Sequence, residues 1–153
     1  MTKVEDILYR RSGLPGLSAR SSDLRILEPA AASGDGKAAL ALDIYAYRVR
    51  KYIGAYAVAL GGLGAVVLSG ALAENSAALR ERVLQGLEFL GIYLDGNRNR
   101  AAGPHAPCQL SADKSGVAVW LVPPTRNAKS PARHTRSSLR ADQVSGCAGY
   151  PGV

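Results

Sequence analysis

The sequence predicts a mixed α/β fold, because a long helix, a short strand, a small-residue loop and a second helix follow one another between residues 38 and 95. Along the first segment, apolar side chains recur with the 3.6-residue period of a helix and share one face. They are Leu42, Tyr45, Val49, Tyr52, Tyr56 and Leu60. The run Ala65 to Ser69 has two adjacent valines and is too short for a buried helix, so it predicts a strand. Open α/β sheets bind ligands at the ends of their strands, so the loop after this strand is a candidate site.

The long helix is predicted to span 38–60, with clear signals at both ends. Ser33 or Asp35, in the loop 31–37, is expected to cap its start. Gly61 and Gly62 can end it through a left-handed backbone. The second helix follows Glu74, Asn75 and Ser76 and is expected to turn four apolar side chains inward. These are Leu79, Val83, Leu87 and Leu90.

Weaker signals lie on either side. Residues 4–9 predict a turn of helix, and the cluster of Ser, Gly and Pro at 12–16 predicts a loop. The Asn-, Gly-, Pro- and Ala-rich segment 95–116 predicts a surface loop or hairpin with little regular structure. Residues 117–122 are apolar on both faces and predict a central strand, with Trp120 in the core.

Composition indicates one domain with a real core, since 153 residues with 47% apolar content approach the usual domain size. The net charge of +7 favours anionic partners such as nucleotides or nucleic acid. From Leu121 onward, however, the chain holds +4 of that charge, with Asp142 as the one acid. The basic residues there are Arg126, Lys129, Arg133, Arg136 and Arg140. Such scattered charges are more typical of a solvated tail than of a nucleic-acid site.

Several other functions are disfavoured. Cys108 and Cys147 are too few for a disulfide framework or a zinc site, and free thiols in a cytoplasmic protein are expected. No window suggests a signal peptide or a membrane span. His105 follows a proline without a nearby acid in sequence and is expected to be an exposed loop residue.

A basic and aromatic cluster lies on the long helix and comprises Tyr47, Arg48, Arg50, Lys51 and Tyr52. Such a cluster could bind RNA by charge and stacking. Arg and Lys on the solvated side of an amphipathic helix give the same pattern more often, so nucleic-acid binding is not the favoured interpretation.

Four stretches together resemble the carboxyl-terminal part of acetate kinase. They are SGLPGLSARSSDLR at 12–25, LALDIYAYRVRKYIGAY at 40–56, ENSAALRERVLQGLEFLGIYLD at 74–95 and ARHT at 132–135. The resemblance implies a partial ribonuclease-H-like domain of the actin and sugar-kinase superfamily, with a sheet covered by helices. It also implies transfer of phosphate from ATP to acetate, giving ADP and acetyl phosphate, and dimerisation through this lobe.

The resemblance assigns the first site residues. By itself, the stretch around Asp23 predicts a helix cap, in which a Ser or Asp side chain accepts from an exposed N–H. The matching Asp-x-Arg of acetate kinases lies in the nucleotide pocket, so Asp23, Leu24 and Arg25 are expected at the adenosine part of ATP. A carboxylate can accept from ribose hydroxyls, and a guanidinium can stack on adenine. Two residues depart from the family: Ala19 replaces a usual glycine, and Arg20 a usual apolar residue.

The second set of site residues is the loop after the first strand. Acetate kinases carry Gly-Ile-Gly-Glu-Asn where this chain has Ala71, Leu72, Ala73, Glu74 and Asn75. If both alanines had to adopt a left-handed backbone, each would cost about 1–2 kcal/mol. Nucleotide affinity would then fall by roughly 30-fold to 1000-fold. Gly70 could replace one of these glycines if the loop slips by a residue.

The family's magnesium ligand has no counterpart here. A glutamate follows the second strand in acetate kinases, and its position falls on Asn127, or on Arg126 without an inserted residue. Neither is a good ligand for Mg²⁺, so no metal ligand is assigned and binding of the family's ATP/ADP with Mg²⁺ is expected to be impaired. Gene decay or a sequence error are alternative explanations for the segment 126–131.

The predicted organisation is a truncated carboxyl-terminal lobe at 1–122, a degenerate helical region at 123–143 and a disordered tail at 144–153. No catalytic residue is assigned, because the family's amino-terminal lobe supplies them, and the chain alone is expected to be inactive. Acetate and propionate both stay open as substrates. The alternative function is a non-catalytic dimerisation or interaction module derived from the kinase lobe.

Overall fold

The computed structural model describes residues 2–124, which divide into two compact units. The helical unit comprises residues 2–62 and 82–85, and the sheet unit comprises residues 63–81 and 86–124. This division is not apparent from the sequence. The degenerate helical region, the terminal tail and the metal position at Asn127 lie outside the described residues, apart from Pro123 and Pro124.

The helical unit contains α1 (Lys3–Arg10), α2 (Gly13–Ser18), α3 (Leu24–Ala32) and α4 (Gly36–Ala59). The predicted helical turn at the start of the chain is confirmed as part of α1. The predicted loop at 12–16 is wrong, because α2 begins inside it. A proline is tolerated in the first turn of a helix, where N–H groups have no intrahelical partner, so composition alone misplaced this element.

Helix α4 has the start and the end that the sequence predicts. Asp35 is its N-cap, and its side chain accepts from the N–H groups of Lys37 and Ala38 at 3.0 and 3.1 Å. At the other end, Gly61 N–H donates to Val58 O and Gly62 N–H to Ala57 O. Both glycines have positive φ, 70° and 139°, so the helix ends in a Schellman motif.

The buried face of α4 differs from the apolar stripe in the sequence. Its buried side chains are Ala38, Ala41, Leu42, Ala46 and Ala57. Small residues let α4 pack closely against α2 and α3. Tyr52, Tyr56 and Leu60 are 56%, 62% and 72% exposed, so the stripe faces inward only near Leu42 and leaves the tyrosines on the surface.

The sheet unit is built on three strands, β1 (Ala65–Leu68), β2 (Cys108–Gln109) and β3 (Ala118–Leu121). Their order is β1-β3-β2; β3 pairs parallel with β1, with Ala65 opposite Ala118, and antiparallel with β2. The predicted first strand and the predicted central strand are therefore both confirmed. Val119 and Leu121 are fully buried.

Between β1 and β2 the chain forms α5 (Ala71–Asn75), α6 (Ala77–Leu84), a 3₁₀ turn at Glu88–Leu90 and α7 (Gly96–Ala101). The prediction of little regular structure at 95–116 is wrong, because α7 and β2 both lie there. Of the four side chains predicted to face inward, Leu79, Val83 and Leu87 are buried, and Leu90 is half-buried.

The structure shows the surroundings of Cys108 and His105. Cys108 is a buried thiol whose Sγ donates to Ala106 O at 3.4 Å, and His105 is exposed as expected. Among the described residues, no helix combines the length and the apolar character needed to cross a membrane.

Candidate functional site

The Asp23–Arg25 turn lies at the start of α3, in the helical unit. Asp23 is the N-cap, and its Oδ1 accepts from Arg25 N–H at 2.9 Å, which confirms the cap that the residues predict. The same carboxylate binds the Arg25 guanidinium, with Nη2 2.6 Å from Oδ2 and Nε 3.0 Å from Oδ1. One carboxylate therefore caps the helix and orients the arginine.

This ion pair determines what the turn can offer a ligand. Hydrogen bonds from the Arg25 side chain and backbone hold the pKa of Asp23 below its usual value. The Arg25 side chain is 84% exposed, so a face of its guanidinium is free for stacking. Ribose hydroxyls would compete with Arg25 for the lone pairs of Asp23. Leu24 is 2% exposed and so offers a ligand almost no surface.

The two departures beside this turn have distinct structural outcomes. Ala19, at a usual glycine position, is the C-cap of α2 with φ 53° and ψ 25°, a left-handed conformation. Arg20, at a usual apolar position, donates from Nε to Asp35 Oδ2 at 2.7 Å. The Arg20 pair thus braces the side chain that caps α4.

The turn after β1 lies in the sheet unit and differs from the expectation of strained alanines. Gly70 has φ 93° and ψ 160° and is the N-cap of α5. Ala71 and Ala73 are helical, and within residues 2–124 Ala19 is the one non-glycine residue with positive φ. The strain predicted at Ala71 and Ala73 is therefore wrong, because the position that requires a glycine is Gly70, which this chain has.

The five residues of α5 present different groups to solvent. Ala71, Leu72 and Asn75 are exposed, and Ala73 is half-buried. The Asn75 amide donates to Ala71 O at 2.6 Å, which orients it along the helix. Glu74 is 2% exposed, and its Oε1 has no hydrogen-bond partner among the described residues. The surface available to a ligand is thus formed by Ala71, Leu72 and Asn75.

Sequence reasoning missed two buried polar residues behind this turn, Arg80 and Asn99, which are 2% and 1% exposed. Arg80 Nη1 donates to Ala73 O at 2.6 Å, and its Nε donates to Asn99 Oδ1 at 2.6 Å. A signal was present, because Arg80 lies three residues before Val83 and four before Leu84 and so shares the inward face of α6.

Two members of the basic and aromatic cluster on α4 make local contacts. Arg50 Nη1 donates to Gln85 O at 2.9 Å within the helical unit. Lys51 Nζ lies 5.7 Å from the centre of the Tyr47 ring. Such contacts are common on helix surfaces, and the expectation against nucleic-acid binding stays a prediction. Within the part of the chain that the structure describes, no three His, Cys, Asp or Glu side chains gather into a metal-binding group.

The described residues belong to the class of mixed α/β proteins in which a glycine-capped turn follows a parallel strand. The family model of the acetokinase family matches residues 1–129. The chain belongs to the acetokinase family.

Individual relatives agree with this assignment. The chain is 46% identical to the acetate kinase of Phocaeicola vulgatus over 122 residues, which are 80% of this chain and 30% of the relative. It is 44% identical to the acetate kinase of Clostridium botulinum over 121 residues, again 30% of the relative. The chain thus spans about 30% of the length of the curated relatives it matches.

Solved structures show the same fold. The acetate kinase of Entamoeba histolytica matches with a TM-score of 0.76 and 31% identity, over 81% of this chain and 32% of that chain. The acetate kinase of Porphyromonas gingivalis matches with a TM-score of 0.73 and 37% identity, over 80% and 31%. A propionate kinase of Francisella tularensis matches with a TM-score of 0.71 and 28% identity, over 80% and 30%. The predicted family and α/β fold are therefore confirmed.

Proposed function

We propose that this chain carries the nucleotide-binding face of an acetate-kinase-like phosphotransferase, which transfers phosphate from ATP to a short-chain carboxylate. The observation that carries the proposal is the turn after β1, where Gly70 keeps the positive φ of 93° that the turn requires. The family match over residues 1–129 includes this turn and the Asp23–Arg25 turn. Ala71 and Ala73 are helical, so the loss of nucleotide affinity expected from a strained backbone at these two residues does not apply.

Each turn would offer a nucleotide different groups. Arg25, with its exposed guanidinium held by Asp23, would stack on the adenine base. Backbone N–H groups at the start of α5 would approach the nucleotide where glycine gives close access. Magnesium would accompany the phosphates, but residues 2–124 offer no cluster of ligands for it.

Phosphoryl transfer needs reactants held in line and charge neutralised on the moving group. The chain corresponds to about 30% of its curated relatives. We therefore expect nucleotide binding without turnover from this portion by itself. Acetate and propionate are both retained as substrates, because relatives named for each acid share the fold.

The proposal is tested by calorimetric titration of the full chain with Mg-ATP and with ADP. We expect saturable binding that weakens at least tenfold in Arg25→Ala, because the stacking surface is lost, a change of about 1.4 kcal/mol. Arg11→Ala is the matched control, since Arg11 also forms an exposed pair with an aspartate, Asp6, at 2.8 Å. It should leave the affinity unchanged.

A second candidate is a non-catalytic interaction module that self-associates in the manner expected for this lobe. The observation that favours it is the exposed surface of α4, where Tyr47, Tyr52 and Tyr56 are 57%, 56% and 62% exposed. Tyrosines are enriched in protein interfaces. The same titration separates the candidates: no heat with millimolar nucleotide would reject the first and leave the second.

A further inference from the structure

Arg80 is a buried cation whose acceptors, within the described residues, are all amide oxygens. Its strongest bonds run from Nε to Asn99 Oδ1 and from Nη1 to Ala73 O, each 2.6 Å, and from Nη2 to Asn99 O. Longer contacts of 3.4 Å join Nη1 to Glu74 O and Nη2 to Ala102 O. The guanidinium therefore connects the carboxyl-terminal end of α5 with α7 and the residue that follows it.

The buried guanidinium is unfavourable unless all its N–H groups have acceptors. Removing a guanidinium from water is unfavourable, and the cost is offset only when its donors find acceptors. Burial accordingly lowers the pKa of Arg80, although an arginine stays protonated in a protein. Losing one acceptor of Arg80 would therefore be unfavourable, because it leaves a buried, charged donor unpaired.

Asn99 is the second half of the connection. While its Oδ1 accepts from Arg80, its Nδ2 donates to Ala77 O at 2.9 Å. Asn99 therefore ties α7 to the first residue of α6 as well as to the guanidinium. Since the side chain is 1% exposed, water cannot readily replace either bond.

Helix α5, whose carbonyls Arg80 binds, is too short to be stable by itself. Helix α5 has five residues, and a helix this short is unstable in isolation. The carbonyls of its last turn lack intrahelical partners, and Arg80 supplies donors to two of them, Ala73 O and Glu74 O. Arg80 therefore holds the geometry of the turn from its buried side.

We propose that Arg80 and Asn99 are positioning residues for the turn after β1, residues 70–75, hereafter the 70–75 turn. They fix this turn in the shape that receives the nucleotide. The shape itself is a property of the fold, and its role in nucleotide binding rests on the proposed function. Neither residue needs to touch the ligand, since both are buried behind the turn.

Two variants of similar size at Asn99 test this. Asn99→Asp keeps an acceptor for Arg80 Nε, whereas Asn99→Leu removes it; both lose the bond to Ala77 O. Amide hydrogen exchange is measured on the full chain at Glu74 and Ser76, whose N–H groups donate to Gly70 O and Leu72 O. Leu110 N–H, which donates to Val119 O at 2.7 Å, is the control for general loosening of the sheet unit.

We expect Asn99→Leu to accelerate exchange at Glu74 and Ser76 about tenfold, with Leu110 unchanged, and to weaken Mg-ATP binding about tenfold. Asn99→Asp should keep both values within about threefold of the parent chain. Equal acceleration at all three amides, or none in Asn99→Leu, would overturn the proposal. So would unchanged affinity in a Leu variant whose turn has loosened. If the parent chain binds no nucleotide, the proposed function fails, and the exchange pattern alone decides whether the two residues fix the turn.

Discussion

At the scale of single residues, Ala19 shows where a replaced glycine matters. Its φ of 53° and ψ of 25° place an exposed alanine in the left-handed region, at the end of α2. A β-carbon in this conformation crowds the following carbonyl, which costs roughly 1–2 kcal/mol. Helices usually end on glycine for this reason.

We predict that Ala19→Gly stabilises the protein by about 1 kcal/mol, after the extra entropy of glycine in the unfolded chain is subtracted. Urea unfolding should show a higher midpoint with an unchanged slope. Ala55→Gly is the matched control, because Ala55 is exposed within α4, where glycine costs about 1 kcal/mol. A lower midpoint for Ala19→Gly would show that this position does not need glycine.

Single residues also show the limit of motif reasoning. The family resemblance implies that Ala71 and Ala73 replace glycines, but it does not show which residue of the turn has positive φ. The structure assigns that role to Gly70. Backbone angles depend on how the strand meets the helix, and this geometry is set by packing rather than by the local letters.

At the scale of helices and strands, three aspartates begin three helices in the same way. Asp23, Asp35 and Asp95 are the N-caps of α3, α4 and α7, and each accepts from backbone N–H groups of its first turn. The pKa of each aspartate lies below its ordinary value; the bond from the Arg25 side chain is the largest cause for Asp23, and backbone cap bonds are the largest for Asp35 and Asp95. For Asp35, the backbone bond from Ala38 is the largest cause, followed by the bond from Arg20.

The sign of the pH dependence follows. Because the pKa of Asp35 is lower in the folded state, the carboxylate stabilises the protein above the unfolded value of 3.8. That stabilisation is lost as the pH falls from this value through the folded pKa. We predict that Asp35→Asn reduces the acid-side decline in the free energy of unfolding, since asparagine still caps a helix but does not titrate.

Urea unfolding at a series of pH values below 5 measures this decline. Glu81→Gln removes a carboxylate from an exposed position and serves as the control for net charge. An acid-side slope in Asp35→Asn equal to that of the parent chain would contradict the assigned role of the cap.

The same scale explains which elements the sequence predicts. Helix α4 and strand β3 carry long apolar patterns, and Asp35, Gly61 and Gly62 mark the helix ends. Helix α7 has no apolar period, because its sequence is Gly-Asn-Arg-Asn-Arg-Ala. It is stabilised by its cap and by the hydrogen bonds of the buried Asn99 side chain to Arg80 and Ala77 O, which periodicity does not detect.

At the scale of the whole molecule, most of what the sequence indicates about function comes from family resemblance. Four separated stretches show this resemblance, and the family match over residues 1–129, which covers three of them, confirms the family. The pattern of residues alone would have left Asp23 as a helix cap and the turn after β1 as a generic strand end. The role of Arg80 could not be predicted in this way, because its acceptors come from residues 73, 74, 99 and 102, far apart in sequence.

The central proposal is that the Asp23–Arg25 turn and the 70–75 turn each contact nucleotide. Amide chemical shifts of the nitrogen-15-labelled chain, followed during titration with Mg-ATP, test it most directly. We predict saturable shifts at Arg25 and at the residues from Gly70 to Glu74, while Ile7 in α1 does not move. The absence of saturable shifts at either turn would contradict the account.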